Sequence, residues 1–90
     1  MFEGISVPVI AKHFRFQWEP AQECYVLLYP EGMVKLNDSA GEILSCCGNQ
    51  VSVDEIVEKL SKKFPDAHTL PEEVREFFEV AYEKQWINFD

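Results

Sequence analysis

The sequence predicts a small α+β domain of winged-helix-like architecture, a three-stranded antiparallel sheet followed by three helices. Three observations carry that expectation. Phe14, Phe16 and Trp18 alternate with Arg15 and Gln17, the period of a half-buried strand, and the run Cys24–Tyr29 is apolar at nearly every position, as in a strand covered on both faces. Pro30-Glu31-Gly32 then reads as a tight turn, with Pro presetting φ and Gly tolerating φ > 0, so that Met33, Val34, Lys35 and Leu36 return as a third strand. From Asn37 onward the apolar residues recur at helical spacing behind Ser/Thr-x-x-Glu capping patterns.

Taken in order, residues 1–12 read as an irregular N-terminal arm in which Pro8 opposes helix, and residues 13–90 as the folded domain. The first strand ends at the Glu19–Glu23 connection, which contains Pro20. Asn37, Asp38 and Ser39 are consecutive N-cap candidates, and Glu42 completes a capping box with Ser39. A first helix over 38–47 then carries Ala40, Ile43, Leu44 and Cys47 on one face and stops at Gly48-Asn49. Ser52 and Glu55 form a second capping box, ahead of a face traced by Val53, Ile56, Val57, Leu60 and Phe64 that Pro65 closes. Glu55 with Lys59, and Glu58 with Lys62, are acid-first i,i+4 pairs on its outer side. Thr69 and Glu72 suggest a third capping box, Pro71 suits the first helical turn, and Val74, Phe77, Phe78, Ala81 and Tyr82 make a broad apolar arc. Trp86, Ile87 and Phe89 pack back on the core.

Ninety residues make one domain, and a 47% hydrophobic fraction is enough for a packed core and too much for a disordered chain. The net charge of −8 and pI near 4.6 argue against nucleic acid and anionic membranes as partners. The third helix sharpens the point. In a DNA-binding winged helix it would present Arg, Lys, Asn or Gln to the groove; here Glu72, Glu76, Glu79 and Glu83 form one stripe, with Glu73 beside it and only Arg75 and Lys84 opposing. No run approaches the roughly 20 apolar residues of a membrane span. The opening residues carry no basic segment ahead of an apolar run, so no secretory signal is expected. Three cysteines, two of them adjacent, make a poor disulfide framework and point to a reducing, cytoplasmic setting.

Nothing in the chain reads as catalytic. Cys46 and Cys47 diverge by about 100° on a helix and lack the four suitably spaced ligands zinc requires, and His13 and His68 show no ligand pattern. There is no nucleotide loop, G-x-S-x-G or H-E-x-x-H. Neither an enzyme nor a bound metal or cofactor is expected. The functional lead is the third strand. As the last strand of a hairpin it lies at a sheet edge, where its backbone can pair with another chain. Phe78 and Tyr82, with Arg75 on their border, are expected to wall a groove beside it, a geometry suited to an extended peptide. The same edge allows a monomer or a strand-swapped dimer.

Trp18-Glu19-Pro20-Ala21-Gln22, the block from Val26 through Leu-Leu-Tyr-Pro-Glu-Gly-Met-Val-Lys-Leu to Asn37, and Ser39-Ala40 resemble the pyrroloquinoline quinone (PQQ) biosynthesis protein D family. The resemblance continues through Glu42-Ile43-Leu44, Val53, Ile56, Phe64-Pro65, Phe77 and Trp86-Ile87. One departure is Cys47 before Gly48, at a helix exit where the family pattern has an acidic residue. The resemblance implies a precursor-peptide recognition domain over residues 13–90, a chaperone that binds the ribosomally made PQQ precursor peptide and presents it to a radical SAM enzyme for Glu–Tyr crosslinking. It also implies that the peptide adds a strand beside Met33, Val34, Lys35 and Leu36 and packs against the helix bearing Val74, Phe78 and Tyr82.

Overall fold

Pro30 and Glu31 form the two-residue bend between strand β3 (Cys24–Tyr29) and strand β4 (Gly32–Lys35) in the computed structural model, which describes residues 2–90; Met1, the first residue of the expected arm, lies outside the described residues. Pro at the second turn position and Gly at the fourth suit a type I turn. Gly32 is not in the left-handed region the sequence suggested. What it supplies is space, since a Cβ there would lie 3.1 Å from the Tyr29 hydroxyl oxygen. Strand β2 (Arg15–Glu19) pairs with the other side of β3, and the antiparallel order β2-β3-β4 leaves β4 at the edge.

Helix α1 (Asp38–Ser45) follows β4 directly and packs on β3. The approach is close: a Cβ at Gly41 would meet the Tyr25 ring at 2.8 Å. Asn37 caps α1, its Oδ1 accepting the Ala40 N–H at 2.8 Å. The expected Ser39–Glu42 box does not form, because Asn37 already holds the extended N-cap backbone and the Glu42 carboxylate is bound by Lys63 Nζ at 2.6 and 2.8 Å. Helix α1 also stops two residues short of the expected Cys47.

Helix α2 (Val53–Lys63) begins with the predicted Ser52–Glu55 box, with both reciprocal hydrogen bonds made. That use of the Glu55 carboxylate accounts for the missing Glu55–Lys59 pair, whereas Glu58 and Lys62 do meet at 3.4 Å on the surface. Helix α3 (Leu70–Glu83) lies against α2. Its expected Thr69–Glu72 box is absent, and the Thr69 hydroxyl instead donates to Glu73 Oε1 at 2.8 Å. The helix has less need of a cap: Leu70 N–H is taken by Ala67 O at 3.1 Å, and Pro71 has no N–H to satisfy.

The expectation of an irregular arm is corrected. Strand β1 (Pro8–Ile10) pairs antiparallel with strand β5 (Ile87–Phe89), a second, two-stranded sheet. Asp90 N–H to Val7 O at 2.8 Å and Ala11 N–H to Trp86 O at 2.9 Å extend the ribbon. Earlier arm residues close the start of α2, where Val53 N–H bonds Ser6 O and Asp54 N–H bonds Gly4 O, each at 2.9 Å. The core joins all these pieces: Leu27, Leu44, Ile56, Phe78 and Ile87 are among its largest fully buried side chains.

Candidate functional site

The register of the β3–β4 pair decides which backbone groups of the edge are free. Leu36 N–H bonds Tyr25 O at 3.0 Å, and the ladder pairs Val34 with Leu27 and Gly32 with Tyr29 in the same phase. In an antiparallel ladder, hydrogen-bonded and non-bonded pairs alternate. Gly32, Val34 and Leu36 therefore turn their N–H and C=O groups toward β3, and Met33 and Lys35 turn theirs outward. Side chains alternate with the same period, perpendicular to the sheet. Val34 lies on the sheet face of Leu27 and packs on the core, as does Leu36, while Met33 and Lys35 project from the exposed face. An added strand would thus bond to Met33 and Lys35 and lie alongside Val34 and Leu36.

Beyond the end of β4 is an apolar hollow of about 280 Å³. Its walls come from Ile43 of α1, Leu60 of α2, Phe64 and Ala67 of the α2–α3 corner, and Leu70 and Val74 of α3; Asp38, Glu42 and Glu73 stand at its rim. Leu60, Leu70 and Val74 are buried, but Phe64 remains 41% exposed. The Pro65 stop bends the chain between α2 and α3 and sets these residues around one opening.

The remaining predicted site residues divide. Val74 and Phe78 are core, at 1% and 0% exposure, so the expected groove wall containing Phe78 is not open to a ligand. Arg75 pairs with Asp54 of α2 at 2.8 Å, both side chains about half exposed. Tyr82 is 52% exposed and packs on Phe89 with ring centroids 5.4 Å apart, in a separate shallow hollow with Phe2 and Ser6 of the arm. Arg75 and Tyr82 thus border the flank of α3 that faces the arm and the start of α2. The flank toward α1 and the end of β4 carries Leu70 and Glu73, and on the helix wheel Phe77, half-buried against the core, falls on this same side, about 140° from Tyr82. The sequence-predicted residues Arg75 and Tyr82 thus mark one border of the buried stripe, the one away from α1. The Leu70–Val74–Phe77 spacing carried the other one, but the wheel alone does not say which border meets the strand.

The electrostatics oppose anionic ligands. Glu72, Glu76, Glu79 and Glu83 are all exposed, and none forms an ion pair among the described residues. Burial pushes the Cys47 thiol up to about 12, with a smaller contribution from Cys46, and burial likewise raises Cys46. Both thiols stay protonated at neutral pH, the form that neither ligates metal nor acts as a nucleophile. Among the described residues no three His, Cys, Asp or Glu side chains converge to hold a metal ion, and no helix is long and apolar enough to cross a membrane.

Fold and site together define a small α+β domain with an unpaired strand edge running into an apolar hollow. The chain belongs to the coenzyme PQQ synthesis protein D (PqqD) family, whose model matches residues 24–87. A PqqA binding protein of Pseudomonas paraeruginosa is 55% identical over 82 residues, covering 91% of this chain and 89% of the relative. The PqqA binding protein of Azotobacter vinelandii is 54% identical over the same shares. Among solved structures, the solution structure of the PqqD truncation of Methylobacterium extorquens PqqCD, described as a functional, stand-alone RiPP recognition element, matches with a TM-score of 0.78 over 98% of this chain and 95% of that one. At 21% identity that match speaks to the fold.

Proposed function

We propose that the chain binds the ribosomally made PQQ precursor peptide, PqqA, by strand addition along β4 and presents it to the radical SAM enzyme that crosslinks its Glu and Tyr side chains. The observation that carries this reading is the edge itself: Met33 and Lys35 offer outward backbone groups beside apolar Val34 and Leu36. Main-chain bonds supply affinity in such docking, and side-chain contacts supply selection. Relatives of more than half identity named PqqA binding protein support the choice of peptide. The role is that of a carrier, with no catalytic step and no cofactor, in the cytoplasm. Holding the peptide and touching the enzyme at the same time would raise the local concentration of substrate at the enzyme. A second copy of this chain pairing at β4 would compete with the peptide, so the loaded form is one chain with one peptide.

The test is calorimetry with synthetic PqqA peptide. Lys35→Pro removes an outward N–H from an edge strand without touching the β3–β4 ladder. It is expected to weaken binding by at least about tenfold, through loss of a ladder bond and its neighbours, with the fold intact by circular dichroism. Unchanged affinity would place the peptide elsewhere.

A further inference from the structure

We infer that the hollow between α1 and the α2–α3 corner is the anchor pocket for the bound peptide, and that it selects an apolar side chain flanked along the peptide by Lys or Arg. This rests on the strand-addition reading above. Asn37 alone separates Leu36 from α1, so a strand added to β4 and continued past Leu36 runs onto the rim at Asp38. At about 280 Å³ the hollow falls just below the roughly 300–1,000 Å³ of small-molecule pockets, and it suits one bulky side chain rather than a cofactor. Phe64 and Ala67 leave apolar surface exposed on its walls, which an inserted side chain would cover.

Charge at the rim identifies the neighbour. Lys63 already neutralises Glu42. Asp38 and Glu73 have no cationic partner among the described residues; Glu73 accepts only the neutral Thr69 hydroxyl. A lysine or arginine next to the anchor would meet these two carboxylates with charge-assisted hydrogen bonds, while an acidic residue there would be repelled.

The experiment is calorimetry of the full chain against synthetic PqqA peptide and its single-alanine variants. Ala67→Phe fills the hollow and Phe64→Ala removes a wall; both positions are exposed, so the fold should persist, and thermal melts check it. Each is expected to lower affinity at least about tenfold, the effect of losing a buried anchor. Asp38→Asn with Glu73→Gln should lower affinity about threefold or more at low salt and flatten the salt dependence. In the peptide scan the largest losses should fall on an apolar residue and an adjacent Lys or Arg. Normal binding by folded Ala67→Phe and Phe64→Ala would overturn the pocket. If Lys35→Pro still weakens binding about tenfold or more in that case, strand addition stands and the anchor pocket falls; if Lys35→Pro also binds normally, both fall. A salt slope that the double carboxylate variant leaves unchanged would overturn the selection for a basic neighbour.

Discussion

Strands β1 and β4 are both short and marginal, yet they use their backbones in opposite ways. The β1–β5 ribbon is closed by the chain itself: Val7 and Ala11 extend the ladder beyond Pro8–Ile10, and the preceding residues, through the Gly4 and Ser6 carbonyls, satisfy N–H groups at the start of α2. The edge of β4 keeps Met33 and Lys35 unpaired beside a core-facing Val34. An exposed edge with apolar neighbours is a hazard unless something uses it. At one margin the backbone hydrogen bonds hold the terminal segments to the core; at the other, two residues keep their backbone groups outside the ladder.

Deleting residues 1–7 should give the largest effect. It strips the carbonyls that bond Val53 and Asp54, at about 0.5–1.5 kcal/mol each, and the aromatic contacts of Phe2 with Phe78 and Phe89. Roughly 2–5 kcal/mol of a stability that is typically about 5–15 kcal/mol should be lost in denaturant melts; a loss below about 1 kcal/mol would make the arm a mere appendage.

At the other margin, proline scanning separates the inward from the outward groups. Val34→Pro removes an N–H that bonds β3 and leaves a β3 carbonyl unpaired, so it should destabilise the fold by about 1–3 kcal/mol, read in the same melts. Lys35→Pro should change stability by less than about 1 kcal/mol while impairing peptide binding. Equal destabilisation at both positions would contradict the assigned phase of the ladder.

A smaller effect sharpens the description of the closed side. Ser52→Ala breaks the capping box but leaves the arm carbonyls in place, so it should cost about 1 kcal/mol, within the usual range for a lost N-cap. Smallest should be Arg75→Ala and Tyr82→Ala, which lie on the arm-facing flank of α3. The exposed Arg75–Asp54 pair contributes about 0–1 kcal/mol to stability and weakens with salt. Peptide affinity should stay within about twofold of the parent for both variants; a tenfold loss in Tyr82→Ala would return that flank to the binding site.

Local signals were legible where one stretch of chain decides its own state. The Pro30 turn, the apolar run of β3, the Ser52–Glu55 box and the Pro65 stop each act through neighbouring backbone, and each appears where expected. The Ser39 and Thr69 patterns are equally good locally, but Glu42 is bound by Lys63 from a distant helix, and Thr69 has φ −96° and ψ 6° rather than the extended backbone of an N-cap, with its hydroxyl donating to Glu73. Strand β1 was missed because three residues headed by proline carry almost no pattern of their own; their partner lies at the far end of the chain.

The class of fold, the family, the acidic surface and the edge strand set up by the Pro-Glu-Gly turn can all be read from the chain without its fold. These follow from composition and from interactions within a few residues. Packing in three dimensions is needed to tell which border of the α3 stripe lies toward α1, that Phe78 is core while Tyr82 meets Phe89, and that a hollow opens where α1, α2 and α3 converge. Helical periodicity states which side chains share a face but carries no information about what that face meets. That is set by packing several elements around one core, where burial of Phe78 and Val74 fixes the rotation of α3 and leaves the two borders to different neighbours.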